Sequence, residues 1–286
     1  MIPRRTLAGE AAVSGLGLFT GAASTLTILP APAGAGLAFD AGGVMIPVVH
    51  GSLDAEPVVA AFGSMPPRHT VLSSGGARAV TTEHALAALV GLGVTDAVLS
   101  LSGGEELPIG DGSALAFVEA IESAGLTRLD AVAEPLVVRD TVVIEDGRGG
   151  TIVAEPAAAP DYLYRLDYGD GSVLGSQSAR WGGDAASFAA SIAPARTFSM
   201  REEAESMRRL GLFAAFTPED LPVVDDDGSL IGNAWRFADE AARHKLLDLI
   251  GDLSLVGRPI LGRVSASKTG HASNHAMARA LDERFG

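Results

Sequence analysis

A chain of 286 residues exceeds one minimal domain and suits two of modest size. With 47% hydrophobic and 20% charged residues it can build a core, and 21 Lys+Arg against 35 Asp+Glu leave a formal charge of −14, which excludes a general nucleic-acid or anionic-membrane binder. The absence of cysteine excludes disulfide scaffolds, thiolate zinc sites, iron–sulfur clusters and a cysteine nucleophile.

The first residues, Met1-Ile2-Pro3-Arg4-Arg5, and the apolar run through Leu29 imitate a secretory signal. Glu10, the hydroxyl residues Ser14, Thr20, Ser24, Thr25 and Thr27, and glycines 15, 17 and 21 break that pattern. No uninterrupted, strongly apolar stretch of about 18 residues occurs, so no transmembrane helix and no stable membrane insertion is predicted. The expected chain starts near Met1 and stays in the cytoplasm; a periplasmic structural domain is the rival that the N-terminal run alone supports.

Thr25 to Leu29 and Leu37 to Phe39 read as strands around a turn at Pro30 to Gly36. Thr81 or Thr82 can cap a helix over Glu83 to Val90, stopped by Gly91. Val94 to Leu101 follows as a strand and Ser113 to Ser123 as a helix, with Asp111 or Ser113 as its cap, and the polar stretch Thr127 to Glu134 reads as a linker. Beyond it, Leu136 to Glu145 and Gly150 to Ala154 form a predicted hairpin, and Tyr162 to Tyr168 a strand. Helices are predicted near Ala185 to Ile192, Arg201 to Leu210, Ala238 to Leu255 and His271 to Phe285, with 211–230 mostly loop. Two internal echoes point to a duplication: Thr25 to Ala31 with Thr151 to Ala157, and His84 to Gly91 with His244 to Gly251. If the halves pack about a pseudo-twofold, the two histidines can meet.

The most informative segment is Arg243 to Asp252. On a helix, His244, Asp248 and Asp252 share one stripe while Leu246, Leu247, Leu249, Ile250 and Leu253 cover most of the rest. Buried, such a stripe needs a cation or donors, and imidazole nitrogen and carboxylate oxygen both suit a divalent ion such as zinc. Taken alone, H-x-x-x-D is a weak metal signal and better fits a helix whose acids pair with Arg243 or Arg258 and whose histidine is merely buried. Glu83-His84 supplies a third ligand and, beside it, a base for water. His271, after Lys268-Thr269-Gly270, can stabilise negative charge or protonate a leaving group. His275 reads as a solvated helix residue, and His50 and His69 carry no legible signal.

At these residues the chain resembles the UDP-3-O-acyl-N-acetylglucosamine deacetylases, zinc amidases of lipid A biosynthesis. The resemblance runs from Arg5-Thr6-Leu7, Gly15-Leu16-Gly17-Leu18 and Leu29 to Ala33, through Thr82 to Leu89, Leu107-Pro108-Ile109 and Asp111 to Ala114. It continues over Ala195-Arg196-Thr197-Phe198, Arg243 to Asp252 and Lys268 to Ala272. It implies an α+β fold of two related domains, 1–127 and 135–286, each a small sheet with two helices, the helices sandwiched between the sheets. It implies one Zn²⁺ per chain on His84, His244 and Asp248, Glu83 as general base, Thr197 at the oxyanion and His271, oriented by Asp252, as the acid. Lys245 would contact substrate beside the metal, Phe198 and an insert at about 197–222 would shape the acyl passage, and Arg139 would meet the nucleotide diphosphate. The implied partner is a nucleotide-sugar glycolipid, met by a monomer with no nucleic acid involved.

Departures fall outside the ligand set. Phe19 stands where the family usually has histidine, so a polar interaction near the site is expected to be lost. The segments Gly169 to Leu174 and Phe213 to Asp220 also differ from the family pattern, as does the connection before Thr81. A diverged homologue that binds zinc and a nucleotide-sugar or acyl ligand, non-catalytic or with altered substrate, is the alternative.

Overall fold

The structure, a computed structural model, describes residues 2–59, 63, 65–169 and 171–286; Met1 and Asp170, which belong to segments singled out above, lie outside them. In the first half, β1 (Ile2–Leu7), β2 (Ala11–Leu16), β3 (Ala23–Pro30), β4 (Leu37–Ala41) and β5 (Val44–Pro47) precede a hairpin of β6 (Val71–Ser74) and β7 (Ala77–Val80). Helix α1 (Glu83–Gly91), β8 (Ala97–Ser102), α2 (Leu115–Ala124) and β9 (Leu126–Ala133) follow. Five strands form a sheet in the order β2-β3-β8-β4-β5, antiparallel except where β4 runs parallel to β8. Strand β3 alternates as a one-sided sheet requires, burying Ser24, Leu26 and Ile28 on one face.

The second half comprises β10 (Leu136–Val137), β11 (Val142–Glu145), β12 (Thr151–Glu155), β13 (Asp161–Asp167), β14 (Ser176–Trp181) and α3 (Ala185–Ser191). Then come β15 (Ser199–Met200), α4 (Arg201–Arg209), β16 (Val223–Val224), α5 (Glu240–Leu253), β17 (Ile260–Leu261), β18 (Arg263–Ser267) and α6 (His271–Phe285). Its sheet runs β11-β12-β18-β13-β14, again antiparallel except for the β13–β18 pair. Strand for strand this is the order and polarity of the first sheet, and the echoed segments fall on β3 and β12 and on α1 and α5.

Helices α1, α2, α5 and α6 lie between the two sheets. Helix α5 packs on β13 and β14 and against α1, while α2 covers β2 and α6 covers β11 and β12. Eight of the nine residues of α1 are buried, so the helix is covered nearly all round, as one between layers must be. At the α1–α5 contact a Cβ built on Gly251 would stand 2.1 Å from the carbonyl oxygen of Glu83. Glycine is therefore what lets α5 touch the first turn of α1.

Three local expectations are corrected. The stretch read as a linker, Thr127 to Glu134, is mostly strand β9, paired antiparallel with β1. Leu136 and Val137 leave the expected hairpin and pair in parallel with β17 instead. Neither threonine caps α1 through its hydroxyl: Thr82 holds the N-cap position, but its hydroxyl is turned to the carbonyl of Thr70, and Thr81 Oγ1 donates to Glu106.

Candidate active site

The α1–α5 contact brings His84 and His244 together with their Nε2 atoms 3.6 and 3.4 Å from Asp248 Oδ1. Both distances are too long for good hydrogen bonds. All three side chains are buried, and their donor atoms lie within 4.8 Å of one another. Burial pushes His244 down to about 3, outweighing the pull of Asp248, so its ring is neutral. His244 Nδ1 is 3.2 Å from the carbonyl of Ala195, which leaves the Nε2 lone pair facing the carboxylate. Among the described residues, Asp248 Oδ1 has no hydrogen-bond partner. An orphaned carboxylate oxygen faced by two imidazoles is the donor set a divalent cation completes, and these three residues fit one.

The proton-handling groups flank this trio. Glu83 opens α1, fully enclosed; burial raises its pKa against the opposing pull of His271 and His84. His271 opens α6 and places Nδ1 2.8 Å from Asp252 Oδ2. Burial lowers its pKa, but Asp252 more than offsets this and holds it up at about 9, so the ring is protonated at neutral pH. Lys245 sits 2.9 Å from Asp248 Oδ2; burial opposes its charge, and Asp248 outweighs that to raise it.

His271, Lys245, Thr197 and Phe198 share the wall of a cavity of ≈ 250 Å³, whose apolar part comes from Leu18, Phe19, Met207, Phe213, Phe216 and Leu221. Thr197 is held there by its N–H donating to the carbonyl of Gly112 at 2.7 Å. Gly112 adopts φ +84, and a Cβ on it would come 2.8 Å from Thr197 Cγ2, so the turn requires glycine twice over. Arg196, next in chain, makes a buried ion pair with Glu240 at 2.8 Å. Arg139 is not brought to the others: it follows β10 as an exposed side chain outside the cavity wall.

Four residues near the site escaped the reading of the sequence: His69, His275, Thr70 and Glu106. Phe19, where a polar interaction was expected to be lost, is buried, with its ring 4.6 Å from that of His69 and 5.7 Å from Phe213. His69 is itself buried and is pushed down to about 3, first by burial and then by the charge of His271. His275, expected in solvent, is mostly covered and reaches Thr70 Oγ1 at 2.7 Å, with Asp252 Oδ1 at 3.6 Å. Thr70 and Glu106 were not singled out at all. Glu106 accepts the N–H groups of Phe19 and Thr20 and the hydroxyls of Thr20 and Thr81, pinning the 17–20 turn beside the site. Only the glycine at 17 hinted at this: a Cβ there would lie 2.4 Å from Glu106 Oε2.

An enclosed His–His–Asp trio beside a buried carboxylate and a charged imidazole is an arrangement for metal-assisted acid–base chemistry. The family model described as UDP-3-O-acyl N-acetylglycosamine deacetylase matches residues 4–283. The UDP-3-O-acyl-N-acetylglucosamine deacetylase of Myxococcus xanthus (strain DK1622) is 38% identical over 96% of this chain and 85% of its own length. That of Anaeromyxobacter dehalogenans (strain 2CP-C) is 39% identical over 96% and 86%, and that of Chlamydia pneumoniae 36% identical over 98% and 97%. The chain belongs to this deacetylase family. Among the described residues, no helix is long and apolar enough to cross a membrane.

Proposed function

We propose that the chain is a zinc-dependent amidase that hydrolyses the N-acetyl group of a UDP-3-O-acyl-N-acetylglucosamine, releasing acetate and the free 2-amine, the committing step of lipid A biosynthesis. The observation that carries this reading is the convergence of His84, His244 and Asp248 from both halves of the chain, with Glu83 and His271 beside them. The names of the relatives support the substrate class, a nucleotide sugar, and we place the protein in the cytoplasm, where such a substrate would be met.

His84, His244 and Asp248 would hold the ion, which when bound supplies Lewis acidity toward the amide carbonyl and toward water. Glu83 takes the proton of the attacking water; its burial raises the basicity that this requires. Thr197 and the Lys245 ammonium, both in the cavity wall, stabilise the negative charge that develops on the carbonyl oxygen. His271, protonated and oriented through Nδ1 by Asp252, gives a proton to the departing amine. Phe198, Phe213 and Phe216 line the space for the 3-O-acyl chain.

The test is acetate release from UDP-3-O-acyl-N-acetylglucosamine by the purified protein, before and after chelation and after Zn²⁺ is returned. Turnover that is lost on chelation and restored by Zn²⁺ is expected. Zinc-loaded protein that releases no acetate overturns the reading.

A further inference from the structure

We infer that Thr70 is a positioning residue that joins the base Glu83 and the acid His271 into one hydrogen-bonded unit, with His275 as its outer member. The inference rests on the deacetylase reading for what the two groups do, but the linkage itself stands on geometry. Thr70 is fully buried and immediately precedes β6. The β6–β7 register pairs Val71 with Val80, which sets Thr70 beside the start of α1, where its carbonyl accepts the N–H of Thr82 at 3.2 Å.

From that place Thr70 reaches two of the site's three carboxylates, Glu83 and Asp252. Its backbone N–H donates to Glu83 Oε2 at 3.0 Å, and its hydroxyl to Asp252 Oδ1 at 2.5 Å. The hydroxyl has one proton, and an ionised carboxylate can only accept, so that proton belongs to Asp252. The contact of 2.7 Å with His275 must then run the other way, with Nε2–H donating to Thr70 Oγ1. Asp252 Oδ2 meanwhile accepts His271 Nδ1–H at 2.8 Å and Asn274 Nδ2 at 2.9 Å. The carboxylate is thus fixed on both oxygens, and His271 is left with Nε2 for the cavity whose wall it forms.

The two arms of Thr70 span the halves of the molecule. Glu83 is 13 residues away on α1, whereas Asp252 is 182 residues away on α5. A shift of either half that moves the base against the acid must break one of these bonds. Removing the hydroxyl deprives Asp252 Oδ1 of its shortest donor and takes the acceptor from His275. Asp252 is then free to turn, and His271 with it.

Thr70→Val keeps the shape and the backbone N–H but loses the hydroxyl; Thr70→Ser keeps the hydroxyl. With metal-loaded protein, Thr70→Val is expected to lower kcat by about 10–100-fold, as loss of an outer-shell partner does. KM stays within about twofold because the substrate is untouched. Metal content is unchanged, and the Nδ1–H resonance of His271 in ¹⁵N-histidine-labelled protein moves. Thr70→Ser recovers most of the lost kcat and restores the resonance. Parent-like kcat and resonance in Thr70→Val, or a Thr70→Ser protein as impaired as the valine variant, overturn the inference. Should Thr70→Val not fold, His275→Ala carries the test: a shifted His271 resonance supports the linkage and an unmoved one overturns it. Absence of acetate release by the parent protein defeats the deacetylase reading alone, because the resonance still reports on the Thr70 bridge.

Discussion

His84 and His244 meet edge to face, with ring centroids 5.1 Å apart and planes at 89°, and both Nε2 atoms face a single oxygen of Asp248. They occupy corresponding helices of the two repeats, so the duplicated fold delivers one imidazole from each half to the contact between them. Perpendicular rings let two lone pairs approach one point without the rings colliding. Neither helix could build the trio alone, and the site exists only where α1 and α5 touch.

Replacing either histidine should therefore cost metal binding before it costs the fold. His244→Ala leaves Asp248 with Lys245 as a partner and removes a buried, uncharged ring. The variant is expected to stay folded by circular dichroism and to lose its metal on dialysis, read by elemental analysis. Stoichiometric metal in dialysed His244→Ala protein means that a different set of ligands holds the ion.

Glu83→Gln separates proton transfer from metal binding. The amide is isosteric and still accepts the N–H of Thr70, but it cannot take a proton. Turnover is expected to fall by about 10²–10⁴-fold, the range for loss of a general base. Metal content and thermal stability stay at parent values. Near-parental turnover removes Glu83 from the chemistry.

The cluster of His84, His244 and Asp248, with His271 beside it, was legible because its signals are local: an i, i+4 pair on an apolar helix, its echo 160 residues earlier, and a glycine-led helix start. Thr70, Glu106 and the role of His275 were not, because their partners lie far off in sequence. Glu106 meets Phe19 across 87 residues and Thr70 meets Asp252 across 182, contacts that only the packed halves create. Strand β9 was missed for a different reason. Only Ala133 of its eight residues is buried, so the period-2 apolar pattern that marks a strand is absent, and pairing with β1 holds it extended. The two-domain architecture was expected from the family resemblance, with the repeat in agreement; the strand order was not read from the sequence.

Gly251→Ala tests the contact that assembles the site. The added methyl would lie 2.1 Å from the Glu83 carbonyl oxygen, backbone that cannot swing away as a side chain could. Forcing α1 and α5 apart is expected to cost about 1–3 kcal/mol or more of stability, measured by denaturant unfolding. Metal affinity is expected to fall with it, since His84 rides on α1 and His244 and Asp248 on α5. Unchanged stability and affinity mean that the helices can separate without strain.

Glu240, 1% exposed, is raised by burial, but the hydrogen bonds from the Arg196 side chain and from the backbone N–H groups of Arg236 and Arg196 more than offset this. Its carboxyl therefore ionises below the ordinary 4.5 in the folded protein. A depressed folded value means that the unfolded chain binds the proton more tightly. The stabilisation is complete above pH 4.5 and drains away as pH falls through the lower folded value. Arg196 adjoins Thr197, so the same acidification loosens the segment that carries Thr197 in the cavity wall. Glu240→Gln should be less stable than the parent at neutral pH by about 3 kcal/mol or more, because it leaves the buried guanidinium without its counter-charge. Its stability should also depend less on pH below 4.5 than the parent's, the two curves converging in acid. Urea unfolding midpoints of both proteins from pH 7 down to about pH 3 measure this; parallel curves across that range would remove Glu240 as the group whose protonation loosens the fold.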